Sequence, residues 1–211
     1  VGLCVLAEPV VRLIYEGGRF GPAESAAVAT ILQAYTLGLA PYSMVKIVAP
    51  AFYSIDRPRL PLYASVASVA VNIGFNALTY RQLGAPGLAL GTTLGAVVNL
   101  TLLRLFYRRT IGPLARPGRA RELGVLLLAN LALGAVVGGA WTGADALLAN
   151  LAGAPRLVRT AMVGLALALV IALGFVVYAA IARAGRYPGG EQLWRMPGAI
   201  ARRLRGRKPA A

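Results

Sequence analysis

Histidine is absent, cysteine occurs once, as Cys4, and the 211 residues carry only seven Asp and Glu. Without an imidazole there is no general base of the usual kind and no His-based metal set, and a lone thiol excludes an internal disulfide. The acids (Glu8, Glu16, Glu24, Asp56, Glu122, Asp145, Glu191) are scattered through helix ends and loops, so none is paired for acid–base work. No nucleophile with a base, no metal-ligand spacing and no phosphate-cradling loop is present. An enzyme is not expected, and neither a metal nor an organic cofactor is implied.

Charge is also scarce. Only 14% of residues are charged while 58% are hydrophobic, a balance that an ordinary water-facing surface does not sustain. The fold class expected is all-α, a polytopic bundle of membrane-spanning helices. A bilayer core takes about 20 apolar residues of helix. Stretches 61–80, 87–107, 122–141 and 157–182 meet that length. A longer stretch, 26–52, holds Pro41 and Pro50, which remove backbone donors and are expected to kink it. The stretch 1–15 reads as the second half of a further span, giving about five full spans and one truncated one. The chain therefore reads as the C-terminal part of a larger protein.

The 22 Lys and Arg give a net charge of +15. Arg57 and Arg59, the group Arg104 to Arg121, and the tail from Arg183 to Lys208 fall on one side of the alternating spans, against Arg12, Arg19, Arg81, Arg156 and Arg159 on the other. Short basic loops stay in the cytoplasm, so a cytoplasmic C-terminus is expected. This topology, with attraction to anionic membrane lipids, accounts for the charge, and nucleic acid is not an expected partner. In the tail 183–211, Leu193, Met196, Ile200 and Leu204 recur at helical spacing beside Trp194; an interfacial helix and a disordered tail both fit.

Polar residues within spans point to a transport path, because they are costly in hydrocarbon and usually face a bundle interior or a wet cavity. Lys46 lies in the run VKIVAPAFYS, and helical spacing aligns it with Tyr35, Gly38, Tyr42, Ala49 and Tyr53. That stripe reads as a cavity wall, or else Lys46 reaches down to cytoplasmic headgroups from about 12 Å away. Asn72 and Asn76 share a face in VNIGFN, with Thr92 and Thr93 in the next span and Asn99 beyond. These are read either as hydrogen-bonding glue between helices or as a monovalent-cation site of amide and hydroxyl oxygens. Gly87, Gly91 and Gly95 repeat every four residues, as close helix packing requires. In FGPAES, Pro22 and Glu24 mark a helix start, and Glu8 with Arg12 forms an i,i+4 ion pair.

The order LIYEGGRFGPAESAAVA, GLAPYSMVKIVAPAFYSIDRPRLP, VNIGFN, LGAPGLALGTTLGAVVNLTLL and a basic loop resembles the second half of the MurJ/MviN lipid II flippases, over residues 1–109. Beyond that the likeness is one of pattern. The resemblance implies a MATE-like flippase fold, in the multidrug/oligosaccharidyl-lipid/polysaccharide exporter superfamily. Residues 1–109 would then supply the end of the second lobe, 110–121 a basic cytoplasmic loop, 122–182 two extra helices bordering a polyprenyl groove, and 183–211 the cytoplasmic tail. It implies a bacterial inner-membrane protein whose cargo is undecaprenyl-pyrophosphate-linked peptidoglycan precursor, with cell-wall synthesis proteins as candidate partners. Lys46, with Tyr35, Tyr42 and Tyr53, would meet the pyrophosphate. Coupling to a monovalent cation or to the membrane potential would suit such a cycle, and on the cation-site reading of the residues, as against helix packing, Asn72, Asn76 and Thr92 are the candidate ligands. Another exporter of the superfamily, or a non-transporting membrane scaffold, is the alternative.

Overall fold

The computed structural model describes residues 1–17, 19–112, 119–150 and 155–187, with the backbone alone for Arg119, Ala120 and Arg156. Among them every regular element is a helix: α1 (Gly2–Val5), α2 (Ala7–Tyr15), α3 (Pro22–Tyr53), α4 (Arg59–Thr110), α5 (Arg119–Ala149) and α6 (Arg156–Ala184). The basic stretch 113–118 and the tail from residue 188 onward, with its expected interfacial helix, lie outside the described residues. The chain divides into two compact units, one of residues 3–115 and one containing α5 and α6.

Stretch 1–15 is not a single helix, as its apolar run had suggested. It breaks at Leu6, whose φ of −91° and ψ of 12° leave the helical region. Pro9 explains the break: it offers no N–H to the Val5 carbonyl, and its ring crowds that carbonyl in a continuous helix. Gln33 Nε2 of α3 donates to Cys4 O beside the break at 3.1 Å, so a carbonyl there finds a partner on the next helix. On the other side of the break, Ala7 and Val11 of α2 pack against Ala29 of α3. The expected ion pair forms, with Arg12 and Glu8 at 2.6 Å.

Between α2 and α3 the chain turns tightly, Gly17 and Phe20 exchanging both backbone hydrogen bonds at 3.1 Å. Helix α3 starts at Pro22, as FGPAES predicts. Glu24 Oε2 accepts the Gly21 N–H at 2.9 Å, which satisfies a free donor and places a carboxylate at the positive end of the helix. Helix α3 continues as one element through Pro41 and Pro50, the two prolines at which a kink is expected. Its end is a Schellman turn: Arg57 N–H reaches Phe52 O at 2.9 Å and Asp56 N–H reaches Tyr53 O at 3.2 Å. Asp56, at φ +56°, takes the left-handed position that glycine usually fills.

Helix α4 is two limbs in one element. Gly84 has φ +55° and ψ −140°, a conformation largely reserved for glycine, and Pro86 follows it in the first turn of the second limb. The limbs then run antiparallel, Ser68 facing Gly95 and Asn72 facing Thr92. At the far end of this hairpin, Phe52 of α3, Ala64 of the first limb and Leu103 of the second form one buried cluster. Phe52 and Tyr107 meet edge to face at 6.3 Å.

In the other unit α5 and α6 pair antiparallel. A Cβ on Gly174 would stand 2.6 Å from Val137 and 2.8 Å from Leu133, and one on Gly185 would stand 2.5 Å from Val125. Their outer faces expose Leu127, Leu131, Leu165 and Leu169. Each such leucine forgoes roughly 1.5–3 kcal/mol in water, a penalty that hydrocarbon removes. Three helices among the described residues are long and apolar enough to cross a membrane: 59–110, 121–149 and 157–184. The first of these holds the two expected stretches 61–80 and 87–107. Helix α3 is long enough but is not among the three, because Gln33, Thr36, Ser43 and Lys46 dilute its apolar run.

Candidate functional site

Helix α3 packs on two different sides and leaves another uncovered: Ala29 meets α2, well round the helix from the residues that meet α4. The side packed on α4 carries Ala34, Gly38 and Phe52. At 100° per residue, Tyr35, Tyr42, Lys46 and Tyr53 form a line about a quarter-turn away from it, and all four are exposed. The stripe read from spacing therefore divides. Gly38 is buried against Thr93 and Ala49 packs beside the Phe52 cluster, so these two belong to the packed side. A face about 100° wide reaches the edge of the next one, and glycine and alanine are the residues that let the neighbouring helix approach.

On the uncovered line, Lys46 Nζ sits over the Tyr42 ring, 4.7 Å from its centroid. Tyr35 and Tyr53 share the line but lie seven residues to either side of this pair, about 10 Å along the axis. No carboxylate pairs with Lys46 among the described residues; the ion pairs there are those of Arg12 with Glu8 and Glu16. A cation–π contact at an exposed site such as this contributes about 0.5–1 kcal/mol. Placing a lysine mid-membrane costs about 2.5–3.5 kcal/mol on insertion scales. For a lysine at that depth, a tyrosine ring would offset only part of the cost and leave the rest to water or an anion. One further group belongs here: Pro50 has no N–H, so the Lys46 carbonyl lacks its helical donor, as the Leu37 carbonyl does opposite Pro41.

The second set of residues does come together, as a seam. Asn76 Nδ2 donates to Asn72 Oδ1 at 3.1 Å, and Asn72 Nδ2 donates to Thr92 Oγ1 at 3.4 Å across the limbs of α4. Thr92 Oγ1 in turn donates to Leu88 O at 3.2 Å. Ser68, one turn before Asn72, donates to Gly95 O at 2.7 Å. Its i,i+4,i+8 spacing with Asn72 and Asn76 was the signal that would have included it. Thr93 points elsewhere, donating to Ala34 O of α3 at 2.8 Å. The oxygens of Asn72 and Thr92 are thus engaged in hydrogen bonds, and Asn76 Oδ1, buried beside Gly91, has no donor. Asn99 Oδ1, two turns beyond Thr92, is likewise buried without a partner. Gly91 and Gly95 face the first limb, so the glycine repeat is a packing feature. No group of three or more acids, cysteines or histidines capable of holding a metal occurs among the described residues.

The family described as lipid II flippase MurJ matches residues 1–152. The chain belongs to the MurJ family. The match runs past residue 109, where the quoted motifs end, and takes in the whole of α5. A probable lipid II flippase MurJ of Rhizobium tropici is 28% identical over 212 residues, which cover 100% of this chain and 37% of that relative. One from Rhizobium meliloti (strain 1021) is 36% identical over 101 residues, 48% of this chain and 19% of the relative. A lipid II flippase MurJ of Thermosipho africanus (strain TCF52B) is 30% identical over 110 residues, covering 52% of this chain and 23% of the relative. The chain thus spans well under half the length of the relatives it matches. With this MurJ membership and its apolar helices, it is a bacterial membrane protein.

Proposed function

We propose that this chain forms part of a flippase that moves lipid II, the undecaprenyl-pyrophosphate-linked peptidoglycan precursor, from the cytoplasmic to the outer leaflet of the inner membrane. The observation that carries the proposal is the family match over residues 1–152. The uncovered line of α3 gives it a chemistry, since an ammonium without a carboxylate partner suits a pyrophosphate met as a point charge. In this reading Lys46 and Tyr42 face the cargo path, with Tyr35 and Tyr53 above and below them.

The fold proposed is MATE-like, with five full spans over 26–52, 61–80, 87–107, 122–141 and 157–182 and a cytoplasmic C-terminus. Helices α5 and α6 would border the polyprenyl tail, which suits their small residues and exposed leucines. Alternating access would bend α3 between Pro41 and Pro50. Bending there breaks no hydrogen bond at Leu37 or Lys46, whose carbonyls have no helical donor to lose. Coupling to a monovalent cation or to the membrane potential completes the proposal, and the Asn72, Asn76 and Thr92 seam reads first as helix glue. The test is rescue of a strain depleted of its own flippase by the full-length protein carrying this chain, scored as lipid II exposed on the outer leaflet. Rescue supports the assignment. Failure at normal membrane abundance would move it to another lipid-linked or drug exporter.

A further inference from the structure

The end of the α3–α4 unit where Phe52, Ala64 and Leu103 are buried together gathers arginines that the sequence keeps far apart. Arg57 and Arg59 flank the turn from α3 into α4, and the Arg57 N–H bonds back to Phe52 O at 2.9 Å. Arg104 follows Leu103 in the second limb, and Arg108 and Arg109 lie one turn further on, beyond Tyr107, whose ring meets Phe52 at 6.3 Å. All five arginines are exposed. Asp56 is the one acid on the same turn, and no ion pair joins it or any other carboxylate to these arginines among the described residues. Tyr53 and Tyr63, both exposed, sit about one turn inward of Arg57 and Arg59. Phenols just inside a rim of cations are the arrangement that places a helix end at the headgroup level of a bilayer.

We infer that this rim binds the phosphate of an anionic phospholipid. Every cation in it is an arginine, whose planar fork engages phosphate oxygens through paired N–H donors, where lysine would act as a point charge. The two arginine groups come from opposite ends of α4, so one headgroup between them bridges both limbs of the hairpin and the end of α3. The exposed rings of Tyr53 and Tyr63 lie alongside the glycerol and upper acyl chain. On this account Tyr53 belongs to the headgroup level and stands apart from the Tyr42 and Lys46 pair. The inference rests on the chain being embedded in a membrane and is separate from the identity of its cargo.

The probe is a fluorescent phosphatidylglycerol titrated into the purified full-length protein in zwitterionic micelles, without lipid II. Binding is expected to saturate, to yield to unlabelled phosphatidylglycerol, and to persist against phosphatidylcholine or inorganic phosphate at equal concentration. The variant R57Q/R59Q/R104Q/R108Q is expected to lose affinity by about tenfold or more, since each arginine near an anionic lipid contributes appreciably. Each half-variant, R57Q/R59Q or R104Q/R108Q, should lose a part of this and serves if the fourfold variant fails to fold. Arg81→Gln, at the opposite end of the hairpin, should bind as wild type. Unchanged binding by the fourfold variant, or by both half-variants, overturns the inference, and so does equal displacement by phosphatidylcholine or by inorganic phosphate. Outer-leaflet lipid II is scored separately in cells, so loss of one readout with the other retained tells which of the two readings failed.

Discussion

Gly38 of α3 lies so close to Thr93 of α4 that a methyl group at position 38 would stand 2.8 Å from Thr93 Oγ1 and 3.2 Å from its Cα. One turn earlier the same hydroxyl donates to Ala34 O, so Thr93 holds α3 to the second limb of the hairpin here, as Phe52 does against Leu103 and Tyr107 further along. Gly38→Ala should therefore push the helices apart and weaken the Thr93 hydrogen bond. The expected cost is about 1–3 kcal/mol, as for other overpacked sites, read as a lower unfolding midpoint of the purified protein in detergent. In a double-mutant cycle with Thr93→Ala the two changes should couple, because they act on one contact.

Gly91 and Asn76 form the corresponding contact between the limbs of α4. A Cβ at 91 would collide with the Asn76 side-chain carbonyl and stand 3.2 Å from Phe75. Gly91→Ala should displace Asn76, break its hydrogen bond to Asn72 and destabilise by about 1–3 kcal/mol. Because Asn76 Oδ1 has no donor to lose, the double variant G91A/N76A should be more stable than G91A alone. Thermal unfolding of wild type and of the two variants checks the order.

Much of this arrangement was legible in the residues, and what was not has a physical cause. Pro22 with Glu24, and Glu8 with Arg12, are local signals whose partners lie within four positions, so spacing alone located them. Spacing and adjacent spans grouped Asn72, Asn76 and Thr92, but that Asn72 Nδ2 meets Thr92 Oγ1 depends on how the two limbs lie against each other, which spacing does not carry. The break at Leu6 was written in Pro9 but was masked by the mostly apolar character of residues 1–15. Gly38 was assigned to the face of Lys46, since helical spacing gives an angle and cannot say which neighbour fills it. The convergence of Arg57 with Arg104 depends on contacts between positions far apart in the chain, which periodicity does not carry.

Pro50 offers a test of the bending proposed for α3. Pro50→Ala restores an N–H to the Lys46 carbonyl and removes a ring that a helix interior disfavours by about 3 kcal/mol in water, an amount that membrane surroundings reduce. The unfolding midpoint should rise. If α3 must bend during the cycle, lipid II exposure should fall at equal protein abundance. A stabler protein with undiminished exposure would place the moving element elsewhere.

Lys46 is the residue on which the functional account turns, and its replacement in the full-length protein is the most direct test. In cells depleted of their own flippase, wild type should restore outer-leaflet lipid II, while Lys46→Ala should not, at equal membrane abundance. Lys46→Arg, which keeps the charge over the Tyr42 ring, should restore part of it. Full rescue by Lys46→Ala would contradict the account and leave Lys46 as a cation that reaches the membrane surface without meeting the cargo.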